Sequence, residues 1–161
     1  MIKVRNGAFE TNSSSVHAMI VTKEETNPFD NVVNFGFGEY GWEEREYHDV
    51  HDKADYFYTA AYEIYGEDVK YRIENALSKY GIKCRFASPD TGKLWEEGYV
   101  DHAEDAREFV NAILDNPDMF VRFLFNDDSF IHTGNDNDEM EWFDDIQAMT
   151  YPPHDLFVKG N

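Results

Sequence analysis

One cysteine, Cys84, occurs in the 161 residues, so an intrachain disulfide is excluded. Such sparing use of cysteine is expected of a cytoplasmic protein. Basic residues are also scarce: 14 Lys and Arg stand against 33 Asp and Glu, for a net charge of −19. A chain so negative is repelled by nucleic acid and by anionic membranes, so direct binding to either is not expected. No apolar run approaches the ~20 residues that a membrane span needs. The N-terminus lacks the basic-then-apolar pattern of a secretion signal. Nor is there a repeat, a low-complexity tract or a linker that would divide the chain.

Aromatic residues are plentiful, with 13 Phe, 10 Tyr and 3 Trp. Rings supply large buried areas, so the charge does not imply disorder. The length suits one domain with a proper core.

Strand-like alternation covers residues 1–4, 16–21, 32–37 and 82–87, and 94–100 is a further candidate. The first two suggest a hairpin joined by a polar loop. Helical stripes are clearer. Phe57, Ala60, Ala61 and Ile64 predict a helix over 53–65, with Asp52 as N-cap and Gly66 as stop. Val69, Ile73, Ala76, Leu77 and Tyr80 predict a second over 67–80, ended by Gly81. Ala106, Phe109, Val110 and Ile113 predict a third over 104–114, stopped by Asn116-Pro117. Residues 119–125 are apolar, and 130–133 read as a strand hairpinned onto them. A helix or irregular segment covers 140–149, and 155–159 reads as a last edge strand. This order lacks strict βαβ alternation. The expectation is therefore a single α+β domain over 1–161, mainly an antiparallel sheet with three to four helices packed on one face.

Arg5-Asn6-Gly7-Ala8-Phe9-Glu10-Thr11-Asn12-Ser13-Ser14-Ser15-Val16-His17 is the most site-like stretch. Arg5 can grip an anion by its planar fork. Hydroxyls and backbone N–H groups from Thr11 to Ser15 can cradle a phosphate. Ser15 and His17 fall on one face of a strand, a nucleophile-and-base spacing. Arg5, Glu10, Asn12, Ser13, Ser14, Ser15 and His17 are thus the candidate ligand-binding set. The alternative is structural: the polar side chains tie down a loop and His17 satisfies a core carbonyl.

Charge is unevenly spread. Residues 1–23 hold Lys3, Arg5 and Lys23 against Glu10 alone, whereas 126–145 hold Asp127, Asp128, Asp136, Asp138, Glu139, Glu141, Asp144 and Asp145 and no Lys or Arg. Those eight carboxylates are the candidate face for a basic protein partner. His48 and His51 beside Asp49 and Asp52 invite a metal reading, but no Cys and no His-Glu-x-x-His helix supports it. The 133–139 run is rich in oxygen ligands but fails the calcium-loop pattern and reads as a turn with Asx hydrogen bonds. No metal and no cofactor is expected. The glycine-spaced aromatics from Phe35 to Trp42 read as a core turn.

The arc from Arg5 to His17 resembles the opening of a family of small acidic proteins from Firmicutes, their phages and other mobile elements. The likeness continues at Phe37-Gly38-Glu39-Tyr40-Gly41-Trp42, Lys53-Ala54-x-Tyr56, Gly98-Tyr99-Val100-Asp101-His102 and Thr133-Gly134-Asn135-Asp136. It implies a phage or mobile-element setting inside a host cell and carries over no catalytic residue.

Two functions are therefore expected in rank order. The first is an acidic binding protein that docks on a basic host or defence protein, as a nucleic-acid mimic or inhibitor. The second is a binder of, or enzyme acting on, a nucleotide or other phosphorylated small molecule, built on the Arg5–His17 arc.

Overall fold

The computed structural model describes residues 2–3, 15–90 and 96–160, the first two by backbone alone. In chain order the elements are β1 (Ile2–Lys3), β2 (Ser15–Thr22), β3 (Val32–Phe35), β4 (Glu39–Tyr40), β5 (Arg45–Tyr47), α1 (Val50–Tyr65), α2 (Asp68–Ser78), β6 (Lys83–Phe86), β7 (Tyr99–Val100), α3 (Arg107–Asp115), α4 (Pro117–Phe125), β8 (Phe130–Asn135), α5 (Glu141–Ala148) and β9 (His154–Lys159). A 3₁₀ turn, Ala103–Ala106, leads into α3.

The principal sheet runs β1-β9-β2-β8-β5, antiparallel except for the short β1–β9 pair. β3 pairs with β6, and β4 with β7, each in parallel. This is the α+β domain expected from the sequence. Its centre is β2, every residue of which is buried. Met19 and Val21 enter the main core, while Ala18 and Ile20 enter a second, smaller one behind the sheet. Side chains on a strand alternate between faces, so a strand buried at every step must be covered on both.

The main core holds α1, α2, α3 and α4 against one face of the sheet, with Phe57, Ile73, Phe109 and Phe120 fully enclosed or nearly so. The stripes read from the sequence for α1, α2 and α3 are the buried faces. Among the described residues, α5 is the one helix behind the sheet. Trp142, Ile146 and Met149, spaced at i, i+4 and i+7, pack on Ala18, Ile20, Phe130 and Leu156. Gly134 lets it approach: a Cβ there would sit 2.7 Å from the Trp142 ring.

Four local expectations change. Helix α1 starts earlier, because Asp49 caps it by accepting the Asp52 N–H at 2.9 Å, so Asp52 lies inside the first turn. Asn116-Pro117 ends α3 and also starts α4: Asn116 accepts the Met119 N–H at 3.1 Å, and proline suits the first helical position. Residues 119–125 are consequently helix and form no hairpin with β8. The other two concern strand order. β9 is interior, between β1 and β2, and β1 pairs with it instead of with β2. β2 needs a partner on each edge, and β8 and β9 both pair with it over six residues.

Candidate functional site

Arg5, Glu10, Asn12, Ser13 and Ser14 lie outside the described residues. Ser15 and His17 share the helix-facing side of β2, as their spacing requires, but they do not bond to each other. His17 is fully buried. Its Nε2 is 2.8 Å from the Gly41 carbonyl, which can only accept, so Nε2 carries the hydrogen. Nδ1 then accepts from the Tyr56 hydroxyl at 2.8 Å. Burial, and after it the neighbouring Lys159 charge, hold the imidazole well below its ordinary pKa, against the pull of the Gly41 bond. His17 is therefore neutral, with one tautomer and no nitrogen free to act as a base.

Ser15 instead accepts from Lys159 Nζ at 3.1 Å, and the same ammonium donates to the Asp101 carbonyl. Burial lowers Lys159 to about 8, although Asp101, Asp105 and Glu63 pull it back. A serine beside such a lysine is a known nucleophile-and-base combination. Here both side chains are enclosed, Ser15 at 0 % and Lys159 at 1 % exposure. The pair joins β2 and β9 to the end of β7.

The reverse face of the sheet is different in kind. α5 turns Glu141, Asp144 and Asp145 to solvent. At i, i+3 and i+4 these carboxylates stand roughly 5–6 Å apart. Glu141 and Asp144, in the first turn, also suit the helix dipole. Asp136, Asp138 and Glu139 lie in the β8–α5 turn, where Asn135 Oδ1 accepts the Asn137 N–H in an Asx turn.

Asp127 and Asp128 sit at the opposite end of β8. Their turn is fixed from beneath by Lys53, whose Nζ donates to the Asn126 and Ser129 carbonyls at 2.8 Å each. Burial lowers Lys53 to about 8, with Asp127 and Asp49 opposing.

Between these two ends runs a chain of contacts absent from the sequence expectation. His48 donates to the Asp127 carbonyl at 2.8 Å, stacks on Phe130 and approaches Glu46 at 2.9 Å. Glu46 reaches His132 at 3.2 Å, and Glu44 reaches it at 3.8 Å. The His132 ring lies flat against Trp142, with centroids 3.8 Å apart. Burial lowers its pKa against the pull of Glu46 and Glu44. Glu44 and Glu46 thus stand on the same side of the sheet as His132 and Trp142, beside the exposed Glu141, Asp144 and Asp145 of α5. No Lys or Arg side chain from β2, β8, β9 or α5 emerges on that side among the described residues.

The helical layer shows the contrast. There Glu67 pairs with Lys70 at 2.7 Å, Asp115 with Arg72 at 3.7 Å, Asp118 with Lys79 at 3.3 Å, and Glu104 with Arg107. Such exposed pairs add little stability but neutralise their surroundings.

At the β5 edge is a pocket of about 140 Å³, lined by Glu39, Gly41, Trp42, Glu43, Tyr47, Tyr99 and Thr133. Its floor is well tied: Thr133 donates to the Glu43 carbonyl at 2.6 Å, and Gly41 is the carbonyl that holds His17. The expected core turn accounts for the rest of the Phe35–Trp42 run. Phe35 and Phe37 stack among Tyr58, Tyr62 and Phe86, and Tyr40 meets Tyr56 and Tyr47. Only Trp42 of those rings stands out, 55 % exposed.

Among the described residues no three His, Cys, Asp or Glu side chains converge as a metal site requires, and no helix is long and apolar enough to cross a membrane. Comparison of the chain with protein-family models, with curated proteins and with solved structures finds no match.

Proposed function

We propose that this is an acidic binding protein whose α5 face docks on a basic protein surface, occupying it as a nucleic-acid backbone would. One observation carries this reading. On the helical side Glu67, Asp115, Asp118 and Glu104 pair with Lys or Arg, whereas Glu141, Asp144 and Asp145 on α5 make no such pair among the described residues. An unneutralised face projects a negative field, and complementary charge accelerates encounter and fixes orientation. Its carboxylates are held on a helix stacked to the sheet through Trp142 and on a turn pinned by Lys53, so little order is lost on binding. A phage or mobile-element setting, with a host or defence protein as target, rests on the sequence resemblance alone. The second expected function has no such support, because Ser15 and His17 are taken up by internal bonds.

Bacterial lysate passed over the immobilised protein provides the test. A partner should be retained in about 50 mM salt, where the screening length is about 14 Å, and released in about 500 mM, where it is about 4 Å. The Glu141→Gln, Asp144→Asn, Asp145→Asn triple variant should fail to retain it. Recovery of the same proteins by wild type and variant alike would refute the reading.

A further inference from the structure

The pocket at the β5 edge is not needed to explain the fold, and its composition is specific. Trp42 and Tyr99 are exposed rings on its walls, Tyr47 is a buried one, and Glu39 and Glu43 add two carboxylates. Aromatic faces attract cations through the ring quadrupole, and carboxylates supply the opposite charge. Burial pushes the Tyr47 phenol up, so that ring stays neutral. Arg45 lies 5.1 Å from the Tyr47 ring centre and is a charge any incoming cation must meet, though Glu39 and Glu43 outnumber it. The volume, about 140 Å³, is below the ~300–1,000 Å³ of pockets that engulf whole ligands. It suits the end of a side chain. The pocket lies at the edge strand β5 with Glu43 in its lining, and Glu44 and Glu46 reach His132 on the other side of that edge, so a partner on the α5 side reaches the pocket around β5.

We infer that this pocket receives one cationic headgroup, an alkylammonium or guanidinium, from a side chain of the basic partner. The inference rests on the acidic-face reading for the identity of the partner, but the pocket itself can be tested alone.

The experiment titrates the ¹⁵N-labelled protein with N-acetyl-lysine methylamide, N-acetyl-arginine methylamide, spermidine and the uncharged N-acetyl-norleucine methylamide. Millimolar binding of the lysine or arginine amide is expected, with shifts at the Trp42 indole and at Tyr99. The norleucine amide should bind at least ~10-fold more weakly. Trp42→Ala and Glu43→Gln should each weaken the cation by about 5-fold or more, while the weakly perturbing Trp42→Phe retains part of it. The triple α5 variant should bind these small cations like wild type, which separates failure of the pocket from failure of the face. Equal binding of norleucine, silence at Trp42 up to about 50 mM, or a response to spermidine with both amino-acid amides silent would each overturn the proposal.

Discussion

Replacing His17 by Ala is expected to cost about 3–5 kcal/mol of stability, read as a lower urea midpoint. The change empties an enclosed volume, leaves the buried Tyr56 hydroxyl with only the weak acceptor Met19 Sδ at 3.7 Å, and removes the donor to the half-buried Gly41 carbonyl. Each unsatisfied group costs about 1–3 kcal/mol. Total stability in domains of this size is about 5–15 kcal/mol, so a milder variant is needed beside it. Tyr56→Phe leaves Nδ1 unpaired and removes the weak contact to Met19 Sδ, and should cost about 1–2 kcal/mol. In the His17→Ala background that cost should shrink by more than about 0.5 kcal/mol, because the partner has already gone. Acid offers an independent check. A histidine whose folded pKa is depressed takes up its proton on unfolding, so its contribution is present above about 6.5 and is lost as pH falls below that. His17→Gln should flatten this acid limb. A loss under 1 kcal/mol for His17→Ala would mean that the imidazole is not structural, and the Arg5–His17 arc would again be a candidate reaction site.

The alkaline limb should belong to Lys53 and Lys159. Both are lowered from 10.5 to about 8, first of all by burial. At pH 7 the folded protein carries the full cost of enclosing each ammonium. Raising the pH from about 8 to 10.5 deprotonates the folded form first, so stability should rise, by up to about 3 kcal/mol for each lysine. The buried phenols act the other way. Tyr40, Tyr56 and Tyr58 are pushed up, chiefly by burial, and keep their protons when folded, so their contribution disappears above about pH 10. The informative window is therefore pH 8–10. Urea titrations there should show a rise in wild type and a reduced one in Lys53→Met or Lys159→Met. Persistence of the full rise in both variants would show that the ammonium groups are hydrated and that the Asp127–Asp128 turn is not pinned from within.

Much of the helical layer is legible in the sequence because the apolar stripes of α1, α2 and α3 fall on buried sides, although α1 buries Lys53, Tyr56, Tyr58 and Thr59 as well. α4 is not, since its nine residues are mostly apolar, with Phe120, Val121, Phe123, Leu124 and Phe125 buried, and so short an apolar run reads equally as a strand despite Asp118 and Arg122 at i, i+4. The interior place of β9 is also hidden, because pairing between residues 132 to 142 positions apart leaves no local trace. The acidic run at 126–145 was visible as composition. Its extension through His48, Glu46 and His132, and the pairing of helical-side acids with Lys and Arg, depend on strand order and appear only in three dimensions. Ser15 and His17 were correctly placed on one face, yet spacing could not reveal that Lys159 and Tyr56 engage them.

The most direct test of the acidic face is its affinity for poly-L-lysine, measured against salt for two variants with the same net charge. One carries Glu141→Gln, Asp144→Asn and Asp145→Asn; the other carries Asp68→Asn, Glu74→Gln and Glu108→Gln in the helical layer. If the α5 face binds cations as a unit, the first should weaken binding at least ~10-fold and flatten the salt dependence, and the second should stay within about 2-fold of wild type. Equal losses in the two variants would mean that only total charge matters and that no such face exists.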